Sequence, residues 1–282
     1  MTANFEHCAA LVRAADRDRY LATLFAPAER RNALFALYAF NVEIARVRDL
    51  AREPMPGEIR LQWWREVLSG ERDGEAAAHP VAAALREKVA QYNLPREPLI
   101  ELIEAHGFDL YDDPMASFAE LASYSRRTAG TIFEFAARIL AGNTGLDGLA
   151  AEAGQAQTIA NTLAKLPAHA ARRQLYVPLE VLARYGAGYE DLFAMRATTE
   201  LRSALAEMRL RARAHLARIG GRLAEIPPSA LPAFLPLAPL RAVLLRMERN
   251  DYDPFKPPEL PPWRHQWELW RAARDPSRMF RR

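Results

Sequence analysis

Proline constrains this chain more than any motif does. Twenty prolines are spread through 282 residues, and most stand between segments whose apolar residues recur every three or four positions. Proline is accepted in the first turn of a helix and breaks one further in. The spacing therefore predicts a succession of helices on short connections, an all-α architecture. The rest of the composition agrees, since Ala, Leu, Arg and Glu dominate and no alternating β-branched run occurs.

Helices are predicted over residues 29–52, 58–68, 80–92, 95–107, 117–140, 149–164, 178–186, 199–219, 232–250 and 263–274. The first places Leu34, Leu37, Tyr38, Val42 and Ala45 on one stripe, and Pro54, Pro56 and Gly57 are expected to break the chain before the second. Ser117 and Glu120 have capping-box spacing. Residues 143–147 form a turn. Thr198 or Thr199 is the expected cap of the long 199–219 helix, which Gly220-Gly221 interrupts. Neither an internal repeat nor a composition shift divides the chain. The expectation is one domain over 1–282, in which 254–282 form a proline-rich linker and a C-terminal Trp/Arg helix.

Composition narrows the function classes. The chain is 50% hydrophobic and 26% charged, which excludes a disordered protein. Its longest apolar runs, such as Ala33 to Phe40, fall short of the roughly 20 residues a bilayer span needs. Met1 to Ala10 has neither a signal-peptide core nor a transit-peptide pattern, so the expectation is a cytoplasmic protein starting near Met1. A net charge of +3 argues against nucleic acid. Lys88, Lys165 and Lys256 are the only lysines among 38 basic residues, so basic patches here are mostly guanidinium forks suited to phosphate. The single cysteine, Cys8, excludes an intrachain disulfide and a multi-cysteine metal site, and is expected to be a small packed residue. The six histidines contain no H-x-x-x-H or H-E-x-x-H pair, which argues against zinc.

Several stretches, in order, resemble the squalene/phytoene synthase family. They are Tyr20-Leu21, Pro27-Ala28-Glu29-Arg30-Arg31, Ala36-Leu37-Tyr38-Ala39-Phe40, His79-Pro80-Val81, Leu94-Pro95, Asp109-Leu110, Tyr124 with Ala129-Gly130, and Arg172-Arg173-Gln174-Leu175-Tyr176-Val177-Pro178. The resemblance covers most of the chain. It implies the isoprenoid-synthase helical bundle around a central apolar cavity for prenyl chains. Family members that join prenyl diphosphates head to head need Mg²⁺, because ionising diphosphate concentrates negative charge. Carboxylates four apart on two facing helices would hold it.

The acidic positions of that pattern are mostly filled differently here. The first motif, Phe-Cys-Arg-x-x-Asp-Asp-x-x-Asp, aligns with Phe40 to Asp49. Val42 stands at the arginine, Ala45 and Arg46 at the paired aspartates, and only Asp49 matches. The second, Gln-x-x-Asn-x-x-x-Asp-x-x-x-Asp, aligns with Thr158, Asn161, Lys165 and His169, where only Asn161 matches. A cation beside a metal cluster costs several kcal/mol, on the order of the Coulomb energy at intermediate dielectric. The expectation is therefore no catalytic residue, no metal and no cofactor. Mg²⁺ enters only under the alternative, an active head-to-head prenyltransferase with ligands from Glu43, Asp49 and Asp109.

The departures resemble one branch of that family, the squalene/phytoene-synthase-like assembly factors of respiratory complex I. Ala39 to Ala45, Arg60-Leu61-Gln62-Trp63-Trp64, Pro167 to Arg173, Pro232 to Leu235 and Asp251 to Phe255 carry this likeness. It implies a non-catalytic helper whose partner is a complex I subunit or assembly intermediate. Tyr38, Asn161, Lys165, His169, Arg172 and Arg173 are the candidate ligand-binding residues. Arg46, Arg48, Lys165, His169, Arg172 and Arg173 either form a charge-paired rim or bind a prenyl diphosphate or phospholipid head without metal. Val42, Ile44 and Ala45 are read as packing, Asp109 and Glu104 as structural acids. His169 has no carboxylate partner nearby in sequence, which argues against catalysis. Trp63 and Trp64, being adjacent, are expected to divide between core and surface. Trp263, Trp267 and Trp270 share one helix face, which docks either on the body or, with Arg264, Arg271, Arg274, Arg278, Arg281 and Arg282, on a membrane surface.

Overall fold

The computed structural model describes residues 3–51, 53–143, 145–258 and 260–280, so Arg52, Thr144, Arg281 and Arg282 of the expectations above lie outside it. Among the described residues every regular element is helical. The chain opens with α1 (Ala3–Ala15), α2 (Arg17–Thr23), α3 (Ala28–Ala45) and α4 (Val47–Leu50). It continues with α5 (Pro54–Ser69), α6 (Asp73–Ala78), α7 (Pro80–Gln91) and α8 (Glu97–Ala105). Next, α9 (Phe118–Ser125) runs through a wide π-turn, Arg126–Gly130, into α10 (Thr131–Ala141). Then come α11 (Asp147–Ala164), α12 (Leu166–Ala171), α13 (Leu179–Tyr185), α14 (Tyr189–Phe193) and the long α15 (Thr199–Gly221). Finally there are α16 (Leu231–Phe234), α17 (Leu240–Arg246) and α18 (Pro262–Arg274).

Helix α3 is the axis of the body. Every residue from Ala33 to Phe40 is buried, so it is enclosed on all sides rather than along one stripe. It packs on α1, α7 and α10, while α11 lies between α10 and α15 and presses on the π-turn. Large rings fill the interior. Phe133 stacks on Phe234 with centroids 5.9 Å apart, and Phe40 meets Trp64 edge-on at 5.2 Å. Trp64 is fully buried, whereas the half-buried Trp63 donates its indole N–H to Glu75 at 2.8 Å, the expected division of the pair. Cys8 is buried in the same core, and burial pushes its thiol up to about 12.

Several boundaries differ from the sequence expectation, each for a local reason. α5 begins at Pro54, because the first-turn N–H groups have no intrahelical acceptor and a proline there loses nothing. The helix expected over 29–52 is divided at Arg46, and the one over 149–164 starts at Asp147 and resumes beyond Lys165 as α12. Pro167 explains the second break, since it has no N–H to return and its ring crowds the preceding turn. Pro236 and Pro239 do the same to the run expected over 232–250, leaving α16 and α17 as short pieces. That region, Pro228–Arg246, is the one described stretch long and apolar enough to cross a bilayer, and it is mostly buried in the core. The caps are as expected. Ser117 Oγ accepts from the Glu120 N–H at 3.2 Å, Glu120 reaches back to the Ala116 N–H at 2.7 Å, and Thr198 caps α15.

α18 docks on the body, but not by its tryptophans. Leu269 and Ala272 join Ala22, Leu235, Ala238 and Met279 in a second small core, and His265 Nδ1 stands 3.0 Å from Asp18. Trp263, Trp267 and Trp270 point outward, 65%, 48% and 38% exposed. The docking reading of the tryptophan face is corrected accordingly, because Leu269 and Ala272 bury against α2 and leave the rings on the opposite side.

The contact of α11 with the π-turn depends on one glycine. A Cβ on Gly154 would stand 2.5 Å from the Gly130 nitrogen and 2.7 Å from its Cα. Gly154→Ala should cost about 1–3 kcal/mol, as overpacking does. Gly74→Ala in α6, where nothing stands within 4 Å, should stabilise by up to about 1 kcal/mol. Chemical denaturation of the two variants checks both signs.

Candidate functional site

The breaks after α3 and α11 bring α4 and α12 to one end of the bundle. There, with the π-turn and the turn at His106–Leu110, they frame a cleft of about 380 Å³. Ala45, Asp49, Asn161, Lys165, His169 and Arg172 all line it, so two segments more than a hundred residues apart in sequence do converge. Ala45 is exposed to the cleft rather than packed, whereas Val42 and Ile44 are buried as expected. Arg46 is exposed outside the lining. Tyr38 lies behind it, 2% exposed, with the Arg19 guanidinium 5.5 Å from its ring centroid. Arg173, in the left-handed region at φ 55°, belongs to the α14 side, 3.4 Å from Glu190 and over the Phe193 ring.

The opening is lined largely by polar side chains. Its only aliphatic lining is Ala45, Ala129 and Ala168. Its floor includes Arg19, a 7% exposed arginine that pairs with Asp16 at 2.7 Å and lies over the rings of Tyr38 and Phe133. A carboxylate and two aromatic faces hold this buried charge at the base of the cleft.

One wall is organised by Asp109. Tyr176 donates to its Oδ1 at 2.6 Å, Tyr124 to both oxygens at 3.0 Å, and His106 Nδ1 stands 2.6 Å from Oδ2. Gln174 donates to the Asp109 carbonyl at 2.8 Å. Burial, and then the Asp109 charge, hold both phenols well above their ordinary range, so they stay donors. Asp109, expected to be structural, is thus structural and part of the cleft wall. Glu104 lies elsewhere, on a groove beside α5.

The mouth is cationic. Asp49 is latched by Arg172, and Arg48 stands 3.6 Å from Asp112. The Lys165 ammonium has no carboxylate partner among the described residues. Burial, and next the Lys165 charge, hold the His169 imidazole down at about 4, so it is neutral near pH 7. His169 Nδ1 and Gln157 Oε1 are buried without a hydrogen-bond partner in the protein, an arrangement that leaves two polar atoms for a ligand. Sequence reasoning did not single out Arg19, His106, Gln157 or Gln174 as site residues. It quoted Tyr124 and Tyr176 only as marks of resemblance, although a buried tyrosine hydroxyl calls for a partner.

The donor set does not fit a Mg²⁺ cluster. Such ions take several oxygen ligands, mostly carboxylate. Asp49 is neutralised by Arg172, Asp109 is saturated by three side chains, and Glu43 pairs with Arg60 at 3.2 Å, outside the cleft. Among the described residues no three His, Cys, Asp or Glu stand together in a way that could hold a metal ion.

His169 also makes stability depend on pH. Its folded pKa is depressed, so the unfolded chain takes up a proton first as pH falls. The stabilisation is full above about 6.5 and drains away between about 6.5 and 4. His169→Gln should flatten the fall in thermal midpoint across that window, leaving the part due to His79 and His215, which burial also depresses.

The family model for squalene/phytoene synthase matches residues 12–271. A Mus musculus protein, NADH dehydrogenase (ubiquinone) complex I, assembly factor 6, is 31% identical over 252 residues, covering 89% of this chain and 76% of that one. Phytoene synthase of Thermus thermophilus is 27% identical over 245 residues, 86% of this chain and 83% of that one. A solved squalene synthase from Alicyclobacillus acidocaldarius has a TM-score of 0.76 at 26% identity, covering 90% of this chain and 95% of that one. With the expected resemblance and the all-α bundle both found along nearly its whole length, the chain belongs to the squalene/phytoene synthase family.

Proposed function

We propose that this protein is a non-catalytic, cytoplasmic assembly factor for respiratory complex I, acting on a subunit or an assembly intermediate. The observation that carries the reading is the ion pair of Arg172 with Asp49 beside Lys165. The exposed carboxylate of Asp49, which lines the cleft, is neutralised by the protein's own cation, and a second cation lines the same cleft. Ionising a diphosphate needs charge stabilisation that a guanidinium and an ammonium supply poorly without metal, and losing even one such donor costs about 3–4 kcal/mol of barrier. The likeness to complex I assembly factor 6 over most of both chains supports the same reading.

The cleft keeps a binding role in this proposal. Lys165 and Arg172, with the unpartnered atoms of His169 and Gln157, suit the phosphate of an anionic amphiphile, a prenyl diphosphate or a phospholipid. Asn161 lines the same wall, and the reading requires no metal.

Three measurements test this. Expression in cells lacking complex I assembly factor 6 should restore the assembled complex on native gels, and failure there with a stable, soluble chain would count against the helper role. Incubation with Mg²⁺ and farnesyl or geranylgeranyl diphosphate should yield no C30 or C40 hydrocarbon. Product that disappears in Asp49→Ala would establish the transferase instead. Farnesyl diphosphate titrated in chelator should bind, and bind more weakly as salt rises, because exposed charges are screened within about 8 Å at physiological ionic strength. Lys165→Glu should weaken that binding about tenfold or more, on the order of 1.4 kcal/mol; equal affinity would remove Lys165 from the site.

A further inference from the structure

The outer face of α18 has no cover. Trp263, Trp267 and Trp270 are exposed there, and beside them stand Leu24 and Phe25 of the turn after α2, each 43% exposed. These residues line one open groove of about 930 Å³. Large apolar side chains clustered at a surface mark an interaction site rather than ordinary exposure. The opposite side of the helix is already committed to the body through Leu269 and Ala272, so the direction of the tryptophans is set by packing.

The unpaired charges around the groove are mostly positive. Arg271 and Arg274 lie over the rings of Trp267 and Trp270, 5.9 and 3.8 Å from the centroids, and those two rings stack at 5.1 Å. Among the described residues, Arg17, Arg264, Arg271 and Arg274 have no carboxylate partner. The carboxylates close by are engaged, Asp18 by His265 and Asp275 by Arg278. Glu268, on the helix flank, is the only unpaired carboxylate of α18 among the described residues.

We propose that this face docks on a bilayer bearing anionic phospholipids. The rings sit at head-group level, with Leu24 and Phe25 entering beside them, and the four arginines meet lipid phosphates. An indole combines an apolar body with a polar edge, which suits that depth, and an amphipathic helix lying in the interface buries only about 5–10 Å into it. A protein partner would call for unpaired charges of both signs at the rim, and here Glu268 alone stands against Arg17, Arg264, Arg271 and Arg274. The inference stands independently of the complex I reading.

The test uses the full chain. Vesicles of phosphatidylcholine alone and of phosphatidylcholine with phosphatidylglycerol are sedimented with the protein, and tryptophan quenching by brominated acyl chains is read on the same samples. Wild type should sediment with the phosphatidylglycerol vesicles, less at high salt, and its emission should be quenched. Trp263→Ala/Trp267→Ala/Trp270→Ala should weaken binding by more than about tenfold. Arg271→Glu/Arg274→Glu should weaken it by roughly fivefold or more for each arginine. Thermal unfolding is followed in both, and the arginine variant carries the test if the tryptophan variant is destabilised. Wild type left in the supernatant at low salt, binding without quenching, or binding unchanged in the arginine variant would each overturn the proposal. The first of these would assign the face to a protein.

Discussion

Asp109 is the interaction on which the working end of the molecule depends. A carboxylate only 8% exposed is tolerable if its lone pairs are filled, and here they are filled from three directions. Tyr124 comes from α9, Tyr176 from the connector beyond α12, and His106 from the turn after α8. The same segments also meet through their rings, Phe108 lying against both Tyr124 and Tyr176, so the carboxylate sets the polar side of an aromatic cluster. Removing the carboxylate would leave two buried hydroxyls without an acceptor, each a cost of about 1–3 kcal/mol. The same contacts hold the connector that sets Arg172 at the mouth, so the anion inside fixes the place of the cation outside.

The cleft is thus assembled around charges that are already satisfied, with one exception. Arg19 has Asp16, Arg172 has Asp49, and Asp109 has its three donors. Lys165 stands apart from these pairs, and burial, with the Lys165 charge second, keeps His169 neutral, so the site offers a point charge beside uncharged polar atoms. Such a surface recognises an anion by attraction and shape, and lacks the flexible set of oxygens that a divalent ion requires.

The helical plan was legible because proline and the three-to-four spacing speak about local structure. Pro80, Pro178, the Ser117 cap and the Thr198 cap mark real boundaries. Pro54 and Pro167 were harder, because a proline that starts a helix and one that ends it look alike until the neighbouring turns are known. In the site, Asp49, Asn161, Lys165 and His169 could be found because they fall at the positions of the two acidic motifs of the resemblance, and Arg172 because it opens the matching connector. Gln157 continues the four-residue series of Asn161, Lys165 and His169 one turn earlier, but the matched motif has its glutamine one position later, at Thr158, while Arg19, His106 and Gln174 share no spacing with them. They reach the cleft through tertiary packing, about which one-dimensional pattern is silent. Tyr38 and Arg173 show the converse, since both lie near the site in sequence and yet face the interior and the α14 side respectively.

The docking of α18 on α2 joins segments at opposite ends of the chain, as the contact of His265 with Asp18 shows. On the ribosome, Leu24 and Phe25 emerge more than two hundred residues before Trp263, Trp267 and Trp270. Ala22 therefore waits through that stretch for Leu235, Ala238, Leu269 and Ala272 to cover it, a long-range closure of the kind that is made late. The aromatic face exists only on a chain that has been read through α18. It is a composite surface, whose two halves stand more than two hundred residues apart in the sequence.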